Sequence, residues 1–178
     1  MTKDLQSILQ KAQDLGLEAY LLDVSDIPVE SRTRLKCAYG CSGYGKRLSC
    51  PPHVMSVDEF RQILKEYSTA ILLIEEFDTS GVEDIIKAWS GIRKGSFRKM
   101  FDLEYYAFRE GFTFAQLLRP GACNECEVCG EKCMRPDRRR FPPEAVGINL
   151  EKVLSMAGTE LRFCNPDRVK CVGILLIE

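Results

Sequence analysis

The sequence has one histidine, almost no net charge and no long apolar run, and each of these absences excludes a class of function. The single histidine, His53, gives no basis for a Cys–His–Asp triad. The formal net charge is −1, so bulk attraction to nucleic acid or to an anionic membrane is not expected. No apolar run approaches the roughly 20 residues of a membrane span, and the N-terminus lacks the basic-then-apolar layout of a signal peptide. We therefore expect a cytoplasmic protein.

Cysteine, in contrast, is abundant, with nine among the 178 residues. The odd count, the missing export signal and the close spacing of several cysteines argue against a disulfide framework. In a reducing compartment, clustered cysteines are more often metal ligands or catalytic thiols. The hydrophobic fraction of 45% and the charged fraction of 29% are ordinary for a globular protein. We expect a single metal-binding domain over residues 1–178.

The apolar pattern predicts alternating helices and strands. Helices are expected at Thr2 to Leu15, after the capping box Ser56 to Glu59, across Val82 to Arg109 with a division near Gly91 and Gly95, and after an Asn149 cap. Strands are expected at Ala19 to Val24, Thr69 to Ile74, Phe112 to Leu118, and in a terminal hairpin of Leu161 to Phe163 with Val169 to Ile177. This predicts an α/β or α+β domain with a mixed sheet of about five strands. Two long cysteine-bearing loops, at about 27–55 and 119–143, complete it.

The second loop carries four cysteines with the spacing C-x2-C-x2-C-x3-C, namely Cys123, Cys126, Cys129 and Cys133. This is the spacing of bacterial ferredoxin-type iron–sulfur runs, although here Met134 and Arg135 precede the proline that normally follows the fourth cysteine. Ligands at every third residue let one loop reach three corners of a compact cubane, and the fourth cysteine can ligate another cluster. A structural zinc ion is the alternative, but zinc cysteines usually form two separated pairs. The spacing therefore favours a [4Fe-4S] cluster.

The first loop carries three cysteines, Cys37, Cys41 and Cys50, which is one short of a full set for a four-iron cluster. Two arrangements remain open. In one, Cys133 completes the first set, which brings the loops together, and Cys164 or Cys171 completes the second. In the other, one cluster is fully ligated and the other has an iron open to a substrate.

Three further residues near these loops have open roles. Cys164 and Cys171 are also consistent with ordinary buried thiols of the terminal hairpin. His53 is interpreted as a ligand, a proton donor or a polar loop residue.

Basic residues flank both loops: Arg32, Arg34, Lys36, Lys46 and Arg47 at the first, and Lys132, Arg135, Arg138, Arg139 and Arg140 at the second. Thiolate-bound clusters are anionic, so nearby positive charge raises their reduction potential. The same charges fit an acidic redox partner or a small anionic substrate. The alternative is a solvated loop face.

The motifs resemble a known family of prokaryotic proteins, domain of unknown function 2284, described as predicted metal-binding proteins. The residues that carry the resemblance are Arg34 to Cys37, Tyr39 to Cys41, Tyr44 to Lys46, Cys50 to Pro52, Cys123 to Cys133, Glu144 to Ile148 and Gly173 to Ile177. The resemblance implies a ligand set of seven cysteines: Cys37, Cys41, Cys50, Cys123, Cys126, Cys129 and Cys133. It does not include Cys164 or Cys171, and it implies no particular reaction.

The leading functional prediction is therefore an iron–sulfur protein, with one or two [4Fe-4S] clusters, that exchanges electrons with a partner protein. A second hypothesis is an enzyme that uses an incompletely ligated cluster on a small anionic substrate. A third is a zinc-binding structural adaptor with no redox role. Nothing in the sequence indicates a nucleic-acid or membrane partner.

Overall fold

The computed structural model describes residues 4–160 and 167–178, and it shows a sheet with helices on both faces, which confirms the predicted fold class. The helices are α1 (Leu5–Asp14), α2 (Thr33–Gly40), α3 (Val57–Leu64), α4 (Ile85–Arg109) and α5 (Leu150–Met156). The strands are β1 (Glu18–Asp23), β2 (Thr69–Asp78), β3 (Gln116–Leu118) and β4 (Arg168–Ile177). Short 3-10 turns occur at Val24–Asp26 and Pro143–Val146.

The sheet has the strand order β1-β2-β4-β3, and every pairing among the described strands is antiparallel, where a mixed sheet was expected. The long strands β2 and β4 pair along their whole length, from Thr69 opposite Ile177 to Asp78 opposite Arg168. Alternation of helices and strands along a sequence does not fix strand direction, because a connection that re-enters the sheet at the end where it left makes the two neighbouring strands antiparallel, even when it contains helices. The expected partner strand at Leu161 to Phe163 lies outside the described residues.

Alternate residues of the central strands build two cores, one on each face of the sheet. Ala70, Leu72 and Ile74 of β2 pack with α3, α5 and the 3-10 turn at Pro143–Val146. Ile71 and Leu73 pack on the other face with α1 and α4. The two cysteine loops emerge from this three-layer frame. Among the described residues, no helix has both the length and the apolar character needed to cross a bilayer.

Local sequence signals set several helix ends as predicted. The Ser56 hydroxyl accepts a hydrogen bond from the Glu59 backbone N–H at 3.1 Å, and the Glu59 carboxylate accepts one from the Ser56 N–H at 2.7 Å, which confirms the capping box. The Asn149 cap is also confirmed, since its side chain accepts from the backbone N–H of Lys152.

Two features of the helices differ from the prediction. The long helix α4 continues through Gly91 and Gly95, because its buried C-terminal stripe, including Phe97 and Met100, stabilises it by more than the roughly 1 kcal/mol that each glycine costs. The first cysteine loop, expected without secondary structure, contains the helix α2.

Candidate metal centre

The second cysteine loop begins directly after β3 and forms an open concavity of about 410 Å³. All four cysteines of the ferredoxin-type run line it, together with one wall from the first loop: the lining includes Cys123, Cys126, Cys129, Cys133, Arg47, Leu48 and Ser49. The four cysteines are half-buried, and their thiols are free. Four cysteines of one short segment therefore line one hollow, whereas the spacing predicts three of them at one cluster and the fourth turned toward another.

The N-terminal half of α4 supports this loop. Arg93 donates a hydrogen bond to the carbonyl of Ala122 at 3.1 Å, and the Asn124 side chain donates to the carbonyl of Ser90 at 2.9 Å. Gly121 has φ +64°, and a Cβ there would lie only 2.7 Å from the Arg93 guanidinium. Glycine at this position therefore permits the turn that brings Cys123 onto the helix.

Arg119 is a fully buried cation beside the second cysteine loop, with an exposed fraction of 0%. One of its nitrogens donates to Asn124 at 2.8 Å, and its guanidinium lies 3.9 Å from the centre of the Phe97 ring. Its Nε and one terminal nitrogen have no hydrogen-bond partner. Burial lowers the pKa of the Arg119 guanidinium, and the neighbouring Cys123 and Glu125 oppose that effect. A buried cation with unused N–H groups fits an anionic group at Cys123.

The first cysteine loop places its three cysteines at successive turns. Cys37 lies on α2, Cys41 ends that helix, and Cys50 is buried in the turn that follows Arg47. The backbone N–H of Gly43 donates to the Cys41 sulfur at 3.4 Å. Backbone N–H groups that donate to sulfur in this way are a usual feature of thiolate metal sites.

His53 has a structural contact in this loop. Its Nε2 lies 3.0 Å from the carbonyl oxygen of Gly45, and the residue is exposed. The imidazole therefore holds the loop closed at Gly45, in keeping with the interpretation of His53 as a polar loop residue.

The two cysteine loops are in direct contact. The Arg47 guanidinium donates to the carbonyl of Cys126 at 2.9 Å, and the Ser49 hydroxyl accepts from the backbone N–H of Cys123 at 3.1 Å. Ser49 is buried, so this second bond is shielded from water. Burial raises the pKa of the Cys50 thiol, and negative charge at Cys41 and Cys123 raises it further. The cysteines of the two loops are thus electrostatic neighbours, although they are more than 70 residues apart in sequence.

Burial and neighbouring charges raise the pKa of two thiols of the first loop, those of Cys37 and Cys50. Burial raises the pKa of the Cys37 thiol, with further contributions from Glu144, Cys41 and Cys50, while Arg34 lowers it. Without a cation the thiols of Cys37 and Cys50 therefore keep their protons, and binding of a metal ion would release them. Among the described residues, no group of three or more Cys, His, Asp or Glu side chains has the spacing of a single-ion site. The seven cysteines lie on two loops that touch, and buried guanidinium N–H groups lie beside the second loop, so the donor chemistry fits a thiolate-bound metal.

Comparison with known proteins identifies the family to which this chain belongs. A family model described as predicted metal-binding protein (DUF2284) matches residues 20–177. The chain belongs to this family. The matched part of this DUF2284 protein covers both cysteine loops, α2 to α5 and the whole sheet apart from the start of β1. No curated protein and no solved structure matches the chain.

Cys171 of this DUF2284 protein belongs to neither cysteine loop and lies within β4, opposite Glu75. Its exposed fraction is 1%, and burial raises its pKa to about 11. These properties are those of an ordinary buried thiol. Cys164 lies outside the described residues.

The sequence analysis missed several residues that build the centre. Arg119 was recognisable from the sequence, because it is a charged residue directly after a predicted buried strand. Arg140 was grouped with a basic run, but its Nε lies 2.9 and 3.0 Å from the two carboxylate oxygens of the buried Glu104. Glu104 also accepts from the backbone N–H of Leu117 at 2.5 Å, so the pair fastens the end of the second loop to α4 and β3. Arg140 therefore has a structural contact inside the protein rather than a solvated position.

Proposed function

We propose that this protein binds two [4Fe-4S] clusters through its two cysteine loops and passes electrons to or from a partner protein. One observation carries the proposal: the two loops touch through Arg47 and Ser49, so that the seven cysteines lie on adjoining segments of the chain. The ferredoxin-type spacing of the second loop supports iron–sulfur over zinc. When bound, such clusters supply one-electron chemistry.

The protein residues around the sulfurs fit that chemistry. The half-buried Arg93 and the fully buried Arg119 place positive charge beside Cys123, where an anionic cluster needs compensation. Burial lowers the pKa of Arg93, and Cys171, Cys50 and Cys123 offset the effect. Fixed positive charge close to the sulfurs favours the reduced, more negative state of a cluster. These arginines therefore help to set a reduction potential.

The rim of the second loop is a candidate surface for a protein partner. Two apolar side chains are largely exposed there, Val128 at 82% and Met134 at 78%. The same loop exposes the cations Lys132, Arg135 and Arg139 and the carboxylates Glu127, Glu131 and Asp137. A small apolar patch with charged neighbours matches the modest interfaces of redox complexes, in which charge steers the encounter. The cysteines lie directly behind this rim, so a docked partner is close to the sulfur ligands.

A second function is favoured by the cysteine count of the first loop. Three cysteines leave one position of a four-iron cluster without a thiolate, and basic side chains such as Lys46 stand nearby. An enzyme acting on a small anionic substrate would use such a position. Spectroscopic detection of a cysteine ligand on every iron would remove this second function.

The test is anaerobic reconstitution with iron and sulfide, followed by metal and sulfide analysis. We expect a brown protein with equal amounts of iron and acid-labile sulfide that bleaches with dithionite. Cys126→Ser should remove about half of both, because it disables one loop, whereas Cys171→Ser should retain the wild-type content. A colourless protein that holds stoichiometric zinc would contradict the proposal and support a structural adaptor.

A further inference from the structure

Glu144 is a carboxylate whose buried oxygen has no partner. It lies in the 3-10 turn Pro143–Val146, between two residues that belong to the core, Pro143 and Ala145. Its Oε2 is inaccessible to water and has no hydrogen-bond partner. Among the described residues, no lysine or arginine forms an ion pair with it. Burial of a carboxylate oxygen without a partner is costly, so this position lacks a group that can bind that oxygen, which a hydrogen-bond donor or a metal ion would supply.

The position of Glu144 is fixed by the frame behind it. The carbonyl of Gly147 accepts from the backbone N–H of Glu30 at 2.7 Å, and a bridge joins Val29 to Ile148. Gly147 has φ +97°, and a Cβ there would lie 2.9 Å from a Val57 methyl and 3.3 Å from the Glu30 carbonyl oxygen. The backbone of this turn is therefore clamped against the segment that leads into α2.

This clamp holds Glu144 beside the first cysteine loop. The 3-10 turn packs on α2, and this helix carries Cys37 and ends at Cys41. These are two of the three cysteines in the loop that is one ligand short. We propose that Glu144 Oε2 is the fourth ligand of the metal cluster held by Cys37, Cys41 and Cys50.

The inference rests on the proposed function and assigns a ligand that the cysteine pattern leaves open. A carboxylate is an acceptable iron ligand of harder character than a thiolate. A ligand role for Glu144 explains why a carboxylate oxygen is buried at this turn and why three cysteines suffice in the first loop. The nearest comparison within the chain is Glu125, which also has a buried oxygen without a hydrogen-bond partner. Glu125, however, has the Arg138 guanidinium 3.8 Å away and contributes to the charge balance of Arg119.

The experiment compares reconstituted wild-type protein with Glu144→Gln, Glu144→Cys and the control Glu127→Gln. Glu127 is an exposed carboxylate within the second cysteine loop. We expect Glu144→Gln to lose about one iron per protein while sulfide is retained, and to show the electron paramagnetic resonance signal of a three-iron cluster. Glu144→Cys should restore the iron, and Glu127→Gln should match the wild type.

Mössbauer spectroscopy of the wild-type protein gives a second test that needs no variant. We expect one iron of the first cluster to carry an oxygen ligand. Full iron content with an unchanged spectrum in Glu144→Gln would overturn the assignment, as would all-sulfur ligation in the wild type. A wild-type protein without iron and sulfide would instead contradict the proposed function itself, so the two failures are distinguishable.

Discussion

Replacement of Arg119 by methionine tests the electrostatic design of the site. The side chain is fully buried beside Cys123, and two of its nitrogens have no hydrogen-bond partner. We take the Arg119 guanidinium and the added charge of a reduced cluster to be about 8 Å apart, in an effective dielectric constant of about 20. Two unit charges then interact by about 2 kcal/mol. Since about 1.4 kcal/mol corresponds to about 59 mV for one electron, Arg119→Met should lower the reduction potential of the nearer cluster by on the order of 50–100 mV.

Protein-film voltammetry or a dye-mediated redox titration measures this shift. Arg119→Lys keeps the charge and should stay nearer to the wild-type potential, although it loses the planar contact with Phe97. Arg109→Met removes an exposed arginine of the same helix as Arg93 and serves as the control, because solvent screens its charge. Equal potentials in the wild type and Arg119→Met would refute the reasoning, provided that both proteins hold the same iron.

Three further predictions concern stability and loop contact. Burial raises the pKa of Cys171 to about 11 in the folded protein, against about 8.5 in the unfolded chain, so its contribution to stability is complete below about pH 8.5 and is lost as the pH rises through 11. The free energy of unfolding, measured by urea titration, should fall by about 3 kcal/mol across this range. The fall should be smaller in Cys171→Ala. Gly147→Ala should destabilise the protein by at least about 1–3 kcal/mol, because φ is +97° and the new Cβ would meet Val57. The control Gly95→Ala in α4 should instead stabilise it by up to about 1 kcal/mol. Equal melting temperatures for the two variants would contradict the idea that the turn at Gly147 is held against the segment before α2. Ser49→Ala leaves the Cys123 N–H without its acceptor and should cost about 1–3 kcal/mol in the metal-free protein, a loss absent from Ser42→Ala at an exposed position of the same loop.

The sequence was a good guide to the frame because local rules operate there. The Ser56 and Asn149 caps and the apolar strands follow from propensity and periodicity alone. The antiparallel direction of the strands was not predictable in this way, since it depends on how distant segments pair. The continuity of α4 through Gly91 and Gly95 was missed for a related reason: packing of its C-terminal half outweighs a local weakness.

In the candidate site, too, local features were predictable from the sequence and features that depend on distant contacts were not. The grouping of Cys123 to Cys133 in one hollow follows from their spacing along a single loop. The cysteine count predicted contact between the loops only where Cys133 is a shared ligand, whereas the contact in the structure depends on Arg47 and Ser49, whose partners no short motif reveals. Arg119 and Glu144 acquire their significance from burial without partners, which is a property of the folded chain and not of the sequence.

The central claim, two iron–sulfur clusters held side by side by touching loops, is tested most directly by electron paramagnetic resonance of the fully reduced protein. Dipolar coupling falls with the cube of distance, so clusters on loops joined through Ser49 and Cys123 should interact. We predict a broadened, split spectrum that simplifies to a single-cluster signal in Cys50→Ser and in Cys126→Ser. Two independent signals, or no signal from a protein that contains zinc, would contradict the account.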